Sequence, residues 1–290
     1  MKKYIWATLA FVAVIMIFSI GYQRYKTPLV SVVMLTYKRA DIAPKAIESI
    51  LNQNYKNFEF IILNDGSPDN TDEVIAEYLK KDSRIRYYKN EKNKGIAYSR
   101  NRVAELARGK YIAIMDDDDE SLPDRIEEQA AYLENHPEIT AVAGQIIGLP
   151  RIPLNHNEIA TGLIQYNNFG NSNVMYRRQF AKNNKIKYNT KLKASEDWDF
   201  WLKMLFAGAK FAALTQDLHI RHGDSIKHYK TTYEAENEPI RQNVARFFSP
   251  ENSESFYQAD ACEKLNMIAK APMQIFTKDY LAMLLKSNCP

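Results

Sequence analysis

Cysteine is nearly missing from this 290-residue chain, and its two instances, Cys262 and Cys289, lie far apart with no CxxC or Cys/His spacing around them. That excludes a structural zinc site and a disulfide framework, and reads the pair as free thiols. No low-complexity stretch and no repeat with a period of about 20–50 residues is present, so a solenoid or propeller is excluded. Nor does an Arg/Lys stripe interleaved with aromatics occur. The net charge of +4 arises from 39 basic and 35 acidic residues that alternate along the chain, and no nucleic-acid partner is expected. What remains is an ordinary globular composition, 46% hydrophobic and 26% charged. The length suits one large or two small α/β domains.

One long hydrophobic run stands out. Residues 4–23, YIWATLAFVAVIMIFSIGYQ, are 20 consecutive uncharged positions, and a membrane-spanning helix needs about 20 predominantly apolar residues. Residues 1–26 are therefore expected to form a single N-terminal membrane anchor, or an uncleaved signal. A cleaved signal peptide fits less well. Its apolar region usually spans roughly 7–15 residues and ends at a small-x-small site, whereas bulky FSIGYQRY follows here. Lys2 and Lys3 precede the run and Arg24 and Lys26 follow it, so positive charge leaves the orientation open.

From residue 29 the pattern becomes an alternation of strands and helices. Strands are expected at 29–36 (LVSVVMLT), 58–63 (FEFIIL), 84–89 (RIRYYK), 110–115 (KYIAIM) and 139–147 (ITAVAGQII). Between them, apolar residues recur at helical spacing over 41–53, 72–81, 96–108 and 123–135, with Asp41 as an N-cap and Pro123 in a first turn,. A further amphipathic helix is expected over 195–208, with Trp198, Trp201, Leu202 and Leu205 on its buried face,. Near-continuous apolar strands alternating with helices imply a mostly parallel sheet covered on both sides. In such sheets ligands bind beyond the carboxyl ends of the strands. Three polar clusters occupy those ends: TYKR (36–39), NDGSPDN (64–70) and DDDDE (116–120). Residues from about 230 onward carry no legible motif beyond a helix at 278–286 and are treated as a helical C-terminal appendage.

The four successive aspartates Asp116 to Asp119 carry the strongest chemical signal. Two unit charges about 4 Å apart repel by roughly 4 kcal/mol at an effective dielectric near 20, so such a cluster at a buried strand end calls for a cation or a shared proton. An EF-hand loop would use Asp116, Asp118, Glu120, Asp124 and Glu127, but Ser121 stands where that loop needs glycine and Pro123 interrupts it,. A phosphatase of the haloacid dehalogenase type places its acidic motif near the start of the domain, not after three strands. A metal-bound nucleotide sugar fits better: the ion takes one or two carboxylates from the protein and the rest of its shell from a diphosphate and water.

The pieces VSVVMLTYKR, FEFIILNDGSPDNT, NKGIAYSRNRVAELARGKYIAIMDDDDESLPDRIE, GNSNVMYRR and SEDWDFWLK occur in that order. Over residues 29–225 they resemble a family 2 glycosyltransferase of the GT-A fold. The resemblance implies a Rossmann-like mostly parallel sheet flanked by helices over 27–228, with a helical extension over 229–290. It implies an inverting transfer from a nucleotide sugar, UDP-linked by expectation, to a glycan or lipid-linked hydroxyl. Mn2+ or Mg2+ would be the cofactor. Thr36, Tyr37 and Arg39 would line the nucleotide pocket, and Asp65 would accept from the base. Lys94 and Arg100 would reach the nucleotide. Asp116 or Asp117 would contact the ribose side, and Asp118 would be the principal metal ligand, with Asp116 and His222 near the metal and diphosphate. Asp197 of the ED pair would be the general base, while Trp198 and Trp201 read as core. The domain would face the cytoplasm in a bacterium and the lumen in a secretory pathway, held at the membrane by its single span. The other reading is a non-catalytic calcium- or sugar-binding protein on the same fold.

Overall fold

The computed structural model describes residues 29–192, 194–222, 240–242, 244–245, 247–248, 259–270, 275–276 and 278–289. The first four strands and three helices follow the expected alternation: β1 (Val30–Thr36), α1 (Ala43–Leu51), β2 (Phe58–Asn64), α2 (Thr71–Lys81), β3 (Ile85–Lys89), α3 (Ile96–Leu106) and β4 (Tyr111–Asp116). Then come β5 (Asp119–Ser121), α4 (Arg125–Asn135), β6 (Ala141–Ile146), α5 (His156–Gln165), β7 (Val174–Arg177), α6 (Arg178–Asn183), α7 (Glu196–Phe206) and β8 (Phe211–Arg221). Two helices close the described chain, α8 (Ala261–Ala269) and α9 (Lys278–Asn288).

One eight-stranded sheet runs in the order β3-β2-β1-β4-β7-β6-β8-β5. β1 pairs in parallel with β2 on one side and β4 on the other. The chain moves outward from β1 to β3 and then returns across β1, so the strand order reverses between β1 and β4. That reversal opens a crevice at their carboxyl ends. Register fixes what lines it: Thr36 lies opposite Asn64, and Leu35 opposite Asp116. The sheet is less parallel than expected. β7 runs antiparallel to β4 and β6, and β5 antiparallel to β8, while β6 and β8 are parallel. The sequence hides these strands because β5 is only Asp119–Ser121, polar throughout, and β7 spans four residues.

Side chains alternate across the sheet. Val30, Val32 and Met34 pack against Ala43, Ala46, Ile47 and Ile50 of α1, while Val33, Ile112 and Ile114 face the opposite core. The second core is centred on α7, where Trp198 and Trp201 are buried as expected; their indole nitrogens donate to Leu163 O and Gly170 O, both at 2.7 Å. Phe169 meets the Trp201 ring edge-on at 5.4 Å. Ile240, Val244, Phe248, Ile275 and Phe276 join this same cluster, so described parts of the C-terminal region pack onto the sheet rather than standing apart.

Three local expectations are corrected. Asp41 does not cap α1: Ile42 occupies the cap position, and the first amides, of Ile42 and Ala43, are met by Arg39 O at 3.1 and 2.9 Å. Pro123 precedes α4 instead of lying in its first turn, and its carbonyl accepts from Asn54 N at 2.9 Å. Cys262 and Cys289 are not free thiols but form a disulfide between α8 and α9. Helix packing brings together positions 27 residues apart, which no local spacing rule detects. Among the described residues no helix is long and apolar enough to cross a membrane; the run 4–23 lies outside them.

Trp201→Ala should lower unfolding free energy by about 3–5 kcal/mol through the cavity it leaves. Urea denaturation at unchanged slope reads this; a loss below about 1 kcal/mol would remove α7 from the centre of the core.

Candidate active site

The four aspartates at the end of β4 divide among three sets of partners. Asp116 faces Arg100, whose Nη2 lies 3.3 Å from its Oδ1. Asp118 accepts from Arg39 Nη1 at 2.7 Å, and Asp117 lies 3.8 Å from Arg39 Nε. Asp119 turns inward as β5 begins. It is 3% exposed and meets His219 Nε2 at 2.9 Å and the Ser172 hydroxyl at 2.7 Å, and it accepts from His222 N at 3.2 Å. Beneath the turn, Arg125 of α4 is fully buried, donating to Ile114 O at 2.7 Å and to the Ser121 hydroxyl at 2.8 Å. A cavity of about 220 Å³ opens above, bounded by Arg39, Arg100 and the acidic run.

The partners set the proton affinities. Burial raises Asp116 to about 6, against the pull of Arg100, although its side chain keeps 38% of its surface open. Burial likewise raises Asp117 to about 7, opposed by the nearby Thr36 hydroxyl and then by Arg39. Asp119 goes the other way: burial works against ionisation, but the His219 and Ser172 hydrogen bonds hold it below the ordinary range. Burial lowers Arg125 to about 10, leaving it cationic at neutral pH beneath Asp119 and Asp116.

At the neighbouring carboxyl ends, β1 and β2 are laced together. Thr36 O accepts from Asp65 N at 2.9 Å, and Lys38 N donates to the Ser67 hydroxyl at 3.0 Å. Gly66 allows the close approach: at φ +76°, a Cβ there would lie 2.5 Å from the backbone carbon of Lys92, a position only glycine fills without strain. The Asp65 carboxylate is 5% exposed and receives Asn90 Nδ2 at 2.5 Å and the amides of Lys94 and Gly95 at 2.9 Å each. Its orientation is thus fixed by the protein itself. Tyr37 stands at the rim, 37% exposed, and the Lys94 ammonium lies 5.9 Å from the Tyr98 ring.

On the facing side, Ser195 precedes α7 in a left-handed conformation (φ +58°). Glu196 turns into the crevice and pairs with Arg100 Nη1 at 2.7 Å, so Arg100 spans from Asp116 to Glu196. With its amide oxygen turned toward Arg100, Asn171 accepts from both guanidinium nitrogens at 2.8 and 3.0 Å,. Asp197 receives Asn167 Nδ2 at 2.9 Å and the amide of Trp198 at 2.8 Å. Burial beside Glu196 raises its carboxyl to about 7, against Arg100.

The structure therefore gathers Arg39, Arg100, Asp116, Asp117 and Asp118 at one crevice, with Asp65 and Thr36 at adjoining strand ends and Asp197 linked through the Arg100–Glu196 pair. It places His222 differently, with its imidazole on Glu120, which also pairs with Lys45 at 2.7 Å. The donor set suits a hard cation: carboxylate oxygens at a strand end, with Asp117 Oδ2 buried and without a hydrogen bond of acceptable geometry,. Among the described residues no three His, Cys, Asp or Glu side chains converge as a ready cation cage. Sequence reasoning missed Arg125, Asn167, Asn90 and the Ser172–His219 pair. Arg125 left one trace, a basic residue on the apolar stripe beside Ile126; the others are brought in by tertiary packing alone.

A sequence model of glycosyl transferase family 2 matches residues 31–193. An uncharacterized glycosyltransferase of Methanocaldococcus jannaschii is 37% identical over 204 residues, 66% of this chain and 69% of that protein. The Escherichia coli protein WfaP, named as a UDP-Glc:alpha-D-GlcNAc-diphosphoundecaprenol beta-1,3-glucosyltransferase, is 34% identical over 187 residues, 63% of this chain and 72% of its own. A solved structure of the mannosyltransferase PcManGT from Pyrobaculum calidifontis, in complex with GDP-Man and Mn2+, matches with a TM-score of 0.59 at 15% identity. It covers 96% of this chain and 87% of that one, a likeness of fold alone.

Folding raises the Asp197 carboxyl from 3.8 to about 7, so the native chain holds that proton more tightly than the unfolded one and loses stability as pH rises through this window. Asp197→Asn should therefore melt above the wild type at pH 8, with the gap narrowing toward pH 5 in thermal scans. A gap independent of pH would contradict the assignment.

Proposed function

The chain belongs to glycosyl transferase family 2 and is a glycosyltransferase, and from that premise we propose that it moves a sugar from a nucleotide donor to a glycan or lipid-linked hydroxyl with inversion at the anomeric carbon. The observation that carries this reading is the Arg100 bridge: one buried guanidinium joins Asp116 of the donor-side cluster to Glu196, the neighbour of the candidate base. Donor and acceptor halves are thereby parts of one site. A UDP-sugar and a lipid-diphosphate-linked acceptor are the first to try, as the printed activity of WfaP suggests.

Asp65, preorganised by Asn90 and two backbone amides, is poised to accept from the donor's base, and Tyr37 and Thr36 border the same pocket. Lys94 and Arg39 supply positive charge at its mouth, and Asp117 or Asp116 meets the ribose side. Asp118 and Asp116 would hold Mn2+ or Mg2+, which when bound neutralises charge on the departing diphosphate. Arg39 must leave Asp118 for that to happen, and its guanidinium then lies beside the diphosphate. Asp197, aimed by Asn167, takes the proton of the acceptor hydroxyl as that oxygen forms a bond to the anomeric carbon, and the bond to the nucleoside diphosphate breaks on the opposite face. A base raised to about 7 is matched to neutral pH, where it combines ionisation with proton affinity. Residues 27–228 form the transferase domain in this proposal, residues 1–26 its membrane anchor, and 229–290 a helical extension.

A panel of nucleotide sugars with Mn2+ or Mg2+ tests the reading; no donor hydrolysis or transfer with any of them would leave only a non-catalytic binder. Asp118→Asn should abolish metal-dependent donor binding. Asp197→Asn should keep donor binding and lose about a hundredfold to ten-thousandfold in kcat; full transfer by that variant would end its role as base. Wild-type kcat should rise with pH through about 7 as Asp197 ionises, and a flat profile between pH 5 and 8 would contradict this.

A further inference from the structure

A second cavity, of about 300 Å³, is lined from α3, α6, α7 and the segment after α6, and shares no lining residue with the cavity at the acidic run. Its floor is aromatic: Tyr188 stacks on Phe200 at 4.2 Å, and Tyr176 lies beside them. Its rim is basic, formed by Arg178, Lys182, Lys185 and Lys187. Two of these are engaged, Arg178 with Gly109 O at 2.7 Å and Lys187 with Glu105 at 2.7 Å. Lys182 and Lys185 are exposed and pair with no carboxylate among the described residues. The surrounding sequence sharpens the charge: residues 159–195 hold no Asp or Glu, while 177–193 hold seven Lys and Arg. Glu105 is the one acid on the lining.

Such a site is matched to a ligand with an anionic head and an apolar body. Its volume admits a headgroup and the first part of an acyl chain but not a whole lipid, so the rest of the ligand must stay outside. A basic surface near a bilayer draws in anionic headgroups. We propose that this cavity seats the phosphate of an anionic membrane phospholipid between Lys182 and Lys185, docking the α6 face of the domain on the membrane. The inference does not depend on which sugar or acceptor the active site takes.

Native mass spectrometry of the full chain in a neutral detergent, with equal amounts of phosphatidylglycerol and phosphatidylcholine, tests it directly. The anionic lipid should be retained at about tenfold higher occupancy. A Lys182→Glu/Lys185→Glu variant should lose that preference while still binding UDP, and a Lys80→Glu/Lys81→Glu variant, with the same charge change on α2, should keep it. Equal retention of the two lipids, an unaltered preference in the Lys182/Lys185 variant, or inorganic phosphate competing as well as the lipid would overturn the proposal. So would tighter binding of a single-stranded RNA oligomer at the same lysines.

Discussion

Four successive carboxylates at the end of β4 repel one another, and the surrounding structure answers that repulsion by separation. The acids are divided among separate counter-charges and hydrogen-bond partners: Arg100 for Asp116, Arg39 shared by Asp117 and Asp118, His219 with Ser172 for Asp119. Arg125 adds a buried cation from below. A buried ion pair adds little net stability once desolvation is counted, whereas losing one partner is costly. The network is therefore better understood as a device for holding geometry. Asp119, which closes the run, ties β5 to β8 and so fixes the direction in which the other three point.

This arrangement depends on the strand order. Because the chain reverses between β1 and β4, the end of β4 opens into a crevice instead of under a crossover helix,. β2 contributes the Asp65 turn at the next strand end, and α7 closes the far side with Glu196 and Asp197. Arg100 stands between the halves, its guanidinium 5.5 Å from the Tyr188 ring and bonded to acids of both. Raised proton affinities at Asp116, Asp117 and Asp197 follow from putting acids where water is scarce, a cost in stability that functional sites commonly carry.

Much of this was legible in the sequence. Apolar strands alternating with helices specified β1 to β4 and their flanking helices, and polar clusters at strand ends marked the crevice. Asp116 and Asp118 stood out by their place in that pattern, whereas Asp197 was marked only by the resemblance to a family 2 glycosyltransferase. What was hidden is what tertiary contact creates. β5, β7 and β8 are short or interrupted by polar residues, so period-2 patterning could not reveal them. Asn167 reaches Asp197 across 30 residues, and Ser172 and His219 reach Asp119 across 53 and 100. The disulfide between Cys262 and Cys289 is hidden for the same reason. Charge repulsion predicted that a cation was needed at the acidic run; it did not say that arginines would supply it first.

On the proposed reading Asp118 is held by Arg39 until a donor arrives, and among the described residues no three carboxylate or imidazole side chains converge to bind a cation alone. Titration calorimetry of Mn2+ into the full chain, with and without UDP, measures this directly. Tight Mn2+ binding should appear only with UDP present, and Arg39→Ala should strengthen the binding seen without it. Mn2+ binding equally tightly in the absence of nucleotide would contradict the account.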